Sequence, residues 1–207
     1  MNSQNQEHVV ESYRMSFQQH GDAPEALQWS VEGQRWRFDK LLDIAAQTTG
    51  QSLLGKRILE IGCGLGHLYP VLQAEIGAVD YYGIDIVPEL IARAKEKFPG
   101  ANFECRDIFQ SPLLQGEFDF VFISGVFNAP FRNDSQAFMS SMLQHAFAAS
   151  RTALAFNFTS SHVNFISEDT NYFTPEWVLS EVLEKLSKKV QMDHHYRNCD
   201  VAVCVCR

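Results

Sequence analysis

The 207-residue chain has little to offer a nucleic-acid backbone or a membrane. Lysine and arginine number 17 against 25 aspartates and glutamates, a formal charge of -8. Sequence-independent binding to DNA or RNA draws on clustered basic residues, so this balance points to small molecules or proteins as partners. No apolar run approaches the roughly 20 residues that span a bilayer. The five cysteines are an odd number without CxxC spacing, which argues against a disulfide framework, a zinc ribbon or a dithiol redox centre. Cys204 and Cys206 read as small core residues on one face of a strand. The N-terminus, MNSQNQEHVVESYR, carries acid and lacks an apolar stretch, unlike a secretory or transit peptide; a cytoplasmic protein is expected. There is no internal repeat and no low-complexity tract.

Against these absences stands a regular alternation of apolar runs and helical periodicity from Arg57 onward. The length suits one sizeable core. The expected organisation is a single domain, with an N-terminal helical segment over 1–50 and an α/β unit over 51–207. The helical segment breaks near His20-Gly21-Asp22-Ala23-Pro24, where Asp22 is placed to cap and Pro24 to enter the first turn of a second helix. Strands are expected at Arg57–Gly62, Tyr81–Ile86, Ala101–Ile108, Phe118–Ser124, Thr152–Phe158, Lys189–Tyr196 and Val201–Cys206. Helices begin at Pro88, at Asp134 or Ser135, and at Pro175 behind Thr174. Alternation through the first five strands implies parallel crossovers, and the short link Arg197-Asn198-Cys199-Asp200 implies a final antiparallel hairpin. The fold class is therefore α/β, a doubly wound sheet of seven strands whose last strand runs against the others.

In such sheets ligands bind at the carboxyl ends of the strands. The first strand runs into Glu60-Ile61-Gly62-Cys63-Gly64-Leu65-Gly66-His67, where glycine lets the backbone take positive φ and admits a ligand without a Cβ in the way. A helix N-terminus follows with free N–H groups. A dinucleotide fingerprint would place its third glycine at position 67, which is His67, so a nicotinamide dehydrogenase is disfavoured. Asp85 ends the second strand, where its carboxylate can accept from ribose hydroxyls or serve as a loop or capping group.

The E-x-G-C-G-x-G spacing resembles the first motif of the class I S-adenosylmethionine-dependent methyltransferases. Asp85 resembles that family's acidic second motif, with Ile86 beside it. Asp107-Ile108-Phe109 matches the carboxylate and apolar contacts that face adenine, and Ser124-Gly125 the motif beside the methionine part of the cofactor. The resemblance implies S-adenosyl-L-methionine as cofactor and the strand order 3-2-1-4-5-7-6. It also implies cofactor-binding roles for Glu60, Gly62, Cys63, Gly64 and Gly66 at the turn, and for Asp85, Ile86, Asp107, Ile108, Ser124 and Gly125 at the next strand ends. Methyl transfer to a small molecule by in-line displacement is the leading expectation. A protein acceptor, or a cofactor-binding regulatory protein without catalysis, are the alternatives.

Acceptor-side candidates come from the loops after the fourth and fifth strands. Phe127 and Asn128 leave the fourth strand; Asn128-Ala129-Pro130-Phe131 invites comparison with an N-P-P-Y/F motif but falls four residues late and reads as an ordinary loop. In FTSSHVNFISEDTNYF, His162 is a candidate base or an exposed histidine, and Tyr172 a candidate pocket residue or part of a hydrophobic staple. His194 and His195, expected on opposite faces of one strand, make a shared metal site improbable. Trp29 and Arg37 in the N-terminal segment can close over the cofactor's methionine end as a lid, or simply pack against the edge of the sheet.

Overall fold

The structure, a computed structural model, describes residues 3–129, 134–195 and 199–207. Pro130 and Phe131 of the loop compared with N-P-P-F, Tyr196 of the sixth expected strand, and Arg197 and Asn198 of the last link lie outside the described residues. In chain order the elements are α1 (Ser3–His20), a short 3-10 turn (Pro24–Leu27), α2 (Val31–Thr49), β1 (Arg57–Ile61), α3 (Leu68–Glu75), β2 (Asp80–Asp85) and α4 (Pro88–Lys97). There follow β3 (Asn102–Cys105), β4 (Phe118–Ile123), α5 (Ser135–Ala149), β5 (Ser150–Thr159), α6 (Pro175–Lys185), β6 (Val190–Asp193) and β7 (Asp200–Cys206).

The seven strands form one sheet in the order β3-β2-β1-β4-β5-β7-β6. All pairings from β3 through β5 are parallel, and β7 runs antiparallel to both β5 and β6. Helices cover both faces, which is why the central strands read as almost unbroken apolar runs. Val121, Ile123, Leu154, Phe156 and Val203 point to the side of α5 and α6. Their neighbours Phe120, Phe122, Ala153, Ala155 and Ala202 point to the side of α2, α3 and α4. Period-two alternation sorts one apolar sequence into two cores.

Several boundaries differ from the sequence expectation. β3 stops at Cys105 because its partner β2 ends at Asp85, which pairs with Cys105; Arg106, Asp107 and Ile108 leave the sheet. Asp107 then closes a side-chain turn, its Oδ1 accepting the Phe109 N–H at 2.9 Å. The crossover from β3 to β4 carries no helix, and Gly116, with φ +60°, ties it to α5 through a 2.8 Å bond to the Ala148 carbonyl. β6 ends at Asp193, so His194 and His195 follow the strand, exposed. Among the described residues no group of three or more His, Cys, Asp or Glu is placed to hold a metal.

The second helix starts later than Pro24. Ser30 caps α2, its hydroxyl accepting the Gly33 N–H at 3.0 Å, and Asp22 instead pairs with Lys97 at 3.0 Å and Arg93 at 3.3 Å. α2 does not sit at a sheet edge: it lies on the sheet face over β5 and β7. The turn and α1 pack elsewhere, with Ala26, Leu27, Tyr13 and Phe17 against Leu65 of the glycine turn and Leu90 of α4. No described helix is long and apolar enough to cross a membrane.

Candidate active site

The strand-to-helix turn after β1 is held by the neighbouring strand. Gly62 and Cys63 both donate to the Ile84 carbonyl, at 2.8 and 3.0 Å. Gly62 and Gly64 have φ of +74° and +53°, a region that other residues enter only at a cost. The space above them is tight: a Cβ on Gly62 would lie 2.2 Å from Val126 Cγ2, and one on Gly64 2.8 Å from Leu27 Cδ2. Gly66 does not line the cavity; a Cβ on it would lie 2.6 Å from the Phe103 ring, so its absence makes room for that ring. It serves packing between the turn and β3.

A cavity opens at the carboxyl ends of β1, β2 and β4, lined by Gly62, Cys63 and Gly64 from the turn. Asp85 and Ile86 line it at the tip of β2, and Asp107, Ile108 and Phe109 beyond β3. Asp85 accepts the Gly64 N–H at 2.8 Å with one oxygen and the Val87 N–H at 2.9 Å with the other. Burial pushes its pKa up, against the pull of those N–H groups. Glu60 lies beneath, 2% exposed, and accepts from the Tyr81 hydroxyl. Burial raises its pKa to about 8, so near neutrality it is a neutral acid inside the turn. Asp107 is oriented by Phe109 N–H and by Gln110 Nε2 at 3.0 Å.

At the tip of β4, Ser124 and Gly125 line the same cavity. Gly125, at φ +77°, would meet Trp29 Cζ2 at 2.2 Å if it carried a Cβ, so the indole rests directly on its backbone. The other face of Trp29 takes the Arg37 guanidinium, 4.0 Å from the ring centroid. Arg37 is itself committed to Asp200, with Nη2 2.7 Å from Oδ2 and Nε 3.2 Å from Oδ1, and its Nη1 donates to Gly33. Both Trp29 and Arg37 thus reach the cavity, Arg37 as the partner of a fully buried carboxylate.

Val9 and Tyr13 of α1 also line the cavity, as does Leu27. Ion pairs fasten this segment to α4, Arg14 to Glu89 at 2.7 Å among them. Burial, then the nearby Asp85, raise the Tyr13 pKa to about 12.

The four acceptor-side candidates fall outside the cavity lining. Phe127 is wholly buried among Phe138, Phe156 and Phe173. Asn128 binds Asn171 through its backbone carbonyl, while its Oδ1 is buried without a partner. His162 is exposed and paired with Glu176 at 3.0 Å. The Tyr172 hydroxyl accepts the Ser167 N–H within the β5–α6 loop. Sequence reasoning missed Tyr13, Leu27 and Asn157, whose Oδ1 accepts the Gly125 N–H at 2.8 Å. A signal existed for Asn157: it is the one amide in the apolar run TALAFNF.

A doubly wound sheet in this order, with a glycine turn after β1 and a half-buried carboxylate at the tip of β2, defines a Rossmann-like protein of the nucleoside-cofactor-binding class. A family profile described as "Methyltransferase domain" matches residues 58–148. The Mycobacterium tuberculosis protein named "Putative methyltransferase Rv1506c" is 31% identical over 147 residues, covering 67% of this chain and 86% of that protein. Among solved structures, magnesium protoporphyrin IX methyltransferase of Synechocystis with bound S-adenosylhomocysteine superposes with a TM-score of 0.65 at 17% identity, over 97% of this chain and 94% of the other. An S-adenosylmethionine-dependent methyltransferase of Leishmania major reaches 0.73 at 12% identity, over 98% and 83%. The chain belongs to the class I S-adenosylmethionine-dependent methyltransferases, an enzyme family whose cofactor is S-adenosyl-L-methionine.

Proposed function

We propose that the cleft at the tips of β1, β2 and β4 binds S-adenosyl-L-methionine and that the chain transfers its methyl group to a small-molecule acceptor by in-line displacement. The observation that carries this reading is Asp85. It is a half-buried carboxylate that lines the cavity and accepts backbone N–H groups, that of Gly64 on one oxygen and that of Val87 on the other. A carboxylate offers about four acceptor positions, so capacity remains for a pair of ribose hydroxyls. The glycine turn beside it is the side-chain-free cradle that an adenosyl group requires. Asp107 and Ile108 are placed for the adenine edge and face, and Ser124 and Gly125 for the methionine end.

The cofactor supplies a sulfonium whose methyl is already activated. What the protein supplies is alignment and the exclusion of water. In this reading Trp29, Leu27, Val9 and Tyr13 form a roof that closes the cleft, and the Arg37–Asp200 pair fixes the indole of Trp29 over Gly125. The charge of -8 supports a small acceptor over a nucleic acid. Free thiols at Cys63, Cys105, Cys204 and Cys206 suit a reducing compartment such as the cytoplasm.

Calorimetric titration with S-adenosylhomocysteine and with NAD tests the cofactor, and transfer of labelled methyl to a metabolite library tests the reaction. Saturable binding of the homocysteine product with no binding of NAD is expected. Preference for NAD overturns the reading, and binding without turnover across the library would favour a regulatory protein.

A further inference from the structure

Asn157 sits in β5 beside the tip of β4, one position beyond the Ile123–Phe156 pair and opposite Ala202 of β7. Alternation along β5 puts its side chain on the face of Ala153 and Ala155, the side covered by α2. The residue is 0% exposed. Its Oδ1 accepts the Gly125 N–H at 2.8 Å, which fixes the orientation of the amide, since a flipped carboxamide would set N–H against N–H. Nδ2 is then a buried donor without a partner among the described residues. A buried donor left unpaired is costly, and such groups in native proteins call for an explanation.

The surroundings say what would satisfy it. Gly125, which pins the amide, is part of the cavity wall and Trp29 lies on it; Asn157 itself sits behind that wall, outside the lining. Two residues along the same face, Thr159 pairs with Asp200, whose charge is balanced by Arg37. The region therefore presents an unpartnered amide NH2 beside the Arg37–Asp200 ion pair, a setting that suits a lone-pair oxygen better than a cation.

We propose that Asn157 is an acceptor-binding residue, its Nδ2 donating to a carbonyl or carboxylate oxygen of the methyl acceptor, which enters when Trp29 moves off Gly125. This rests on the methyl-transfer reading above. It selects acceptors that carry such an oxygen near the methylated atom and disfavours plain amines and alcohols.

The test uses the full chain saturated with S-adenosylhomocysteine, with acetate and acetamide as probes and methylammonium as control. The Asn157 side-chain NH2 and Trp29 indole N–H resonances are followed by NMR. Saturable shifts of both with acetate or acetamide, and none with methylammonium, are expected. Asn157→Asp keeps the shape and the acceptor for Gly125 but removes the donor; at pH 8 it should weaken probe binding at least tenfold, read at Trp29, with S-adenosylhomocysteine affinity within twofold of wild type. Wild-type resonances indifferent to both probes would overturn the proposal, leaving the amide to an internal water. A variant that weakens S-adenosylhomocysteine more than twofold would also overturn it, moving Asn157 to the cofactor. Failure of the wild-type chain to bind S-adenosylhomocysteine is read separately and removes the methyl-transfer reading itself.

Discussion

The two halves of the cleft are built differently. At the tips of β1 and β2, Asp85 takes an N–H on each oxygen and Glu60 takes the Tyr81 hydroxyl, so the chain satisfies its own buried acids. At the tips of β4 and β5, behind the Gly125 wall, Asn157 keeps an Nδ2 without a partner among the described residues, while the Trp29 indole rests on Gly125 and covers the wall. The first half holds its acids from within the chain while Asp85 keeps lone pairs for a ribose, and it suits a cofactor of fixed structure. The second leaves hydrogen-bonding capacity open, as expected where acceptor identity is decided. Preorganisation and selectivity are thus divided between neighbouring strand tips.

The largest effect that would sharpen this contrast lies behind the second half. Arg37→Met removes the guanidinium that pairs with the fully buried Asp200, and losing one partner of a buried pair costs about 3–5 kcal/mol. Urea unfolding should show the loss as a lower midpoint with unchanged slope. Next comes Gly125→Ala, which places a Cβ at φ +77° and 2.2 Å from Trp29; strain and overpacking together should cost about 2–4 kcal/mol. Repeating it in a Trp29→Ala background should recover part of that loss, and equal losses in both backgrounds would break the claimed contact.

The first half is probed by pH. Glu60 holds its proton to about pH 8 in the folded chain, whereas an ordinary carboxyl loses it near 4.5. Between those values the folded state binds more protons than the unfolded state, so stability falls as pH rises, by up to about 1.4 kcal/mol per pH unit from this group. Glu60→Gln should flatten that slope in unfolding curves taken from pH 5 to 8. An unchanged slope would mean that Glu60 is ionised in the fold.

How much of this was legible beforehand follows the same division. The positions of the glycine turn and Asp85 could be read because they depend on local backbone geometry and on the end of one strand. The hairpin of β6 and β7 showed in the short link between two apolar runs, and Pro88, Asp134 and Thr174-Pro175 marked helix starts, although Thr174 makes no side-chain capping bond. Gly66 looked identical to Gly62 in sequence, yet its neighbour is the Phe103 ring, a contact set by the sheet. Asp107 was expected at a strand end and sits in a turn because β2 is too short to pair with it. His162 and Tyr172 carried suggestive chemistry, but the loop that holds them leads away from the cleft lining. Asn157 passed as strand filler, since an unpaired amide is visible only once every neighbour is in place.

The central claim is that Asp85, at the tip of β2, holds the ribose of S-adenosyl-L-methionine. Titrating S-adenosylhomocysteine into the wild-type chain and Asp85→Ala by calorimetry tests it most directly. The account predicts saturable binding to the wild type and a loss of about 1–3 kcal/mol in the variant, from the hydrogen bonds removed. Equal affinity for the two proteins, with the variant folded, would contradict it.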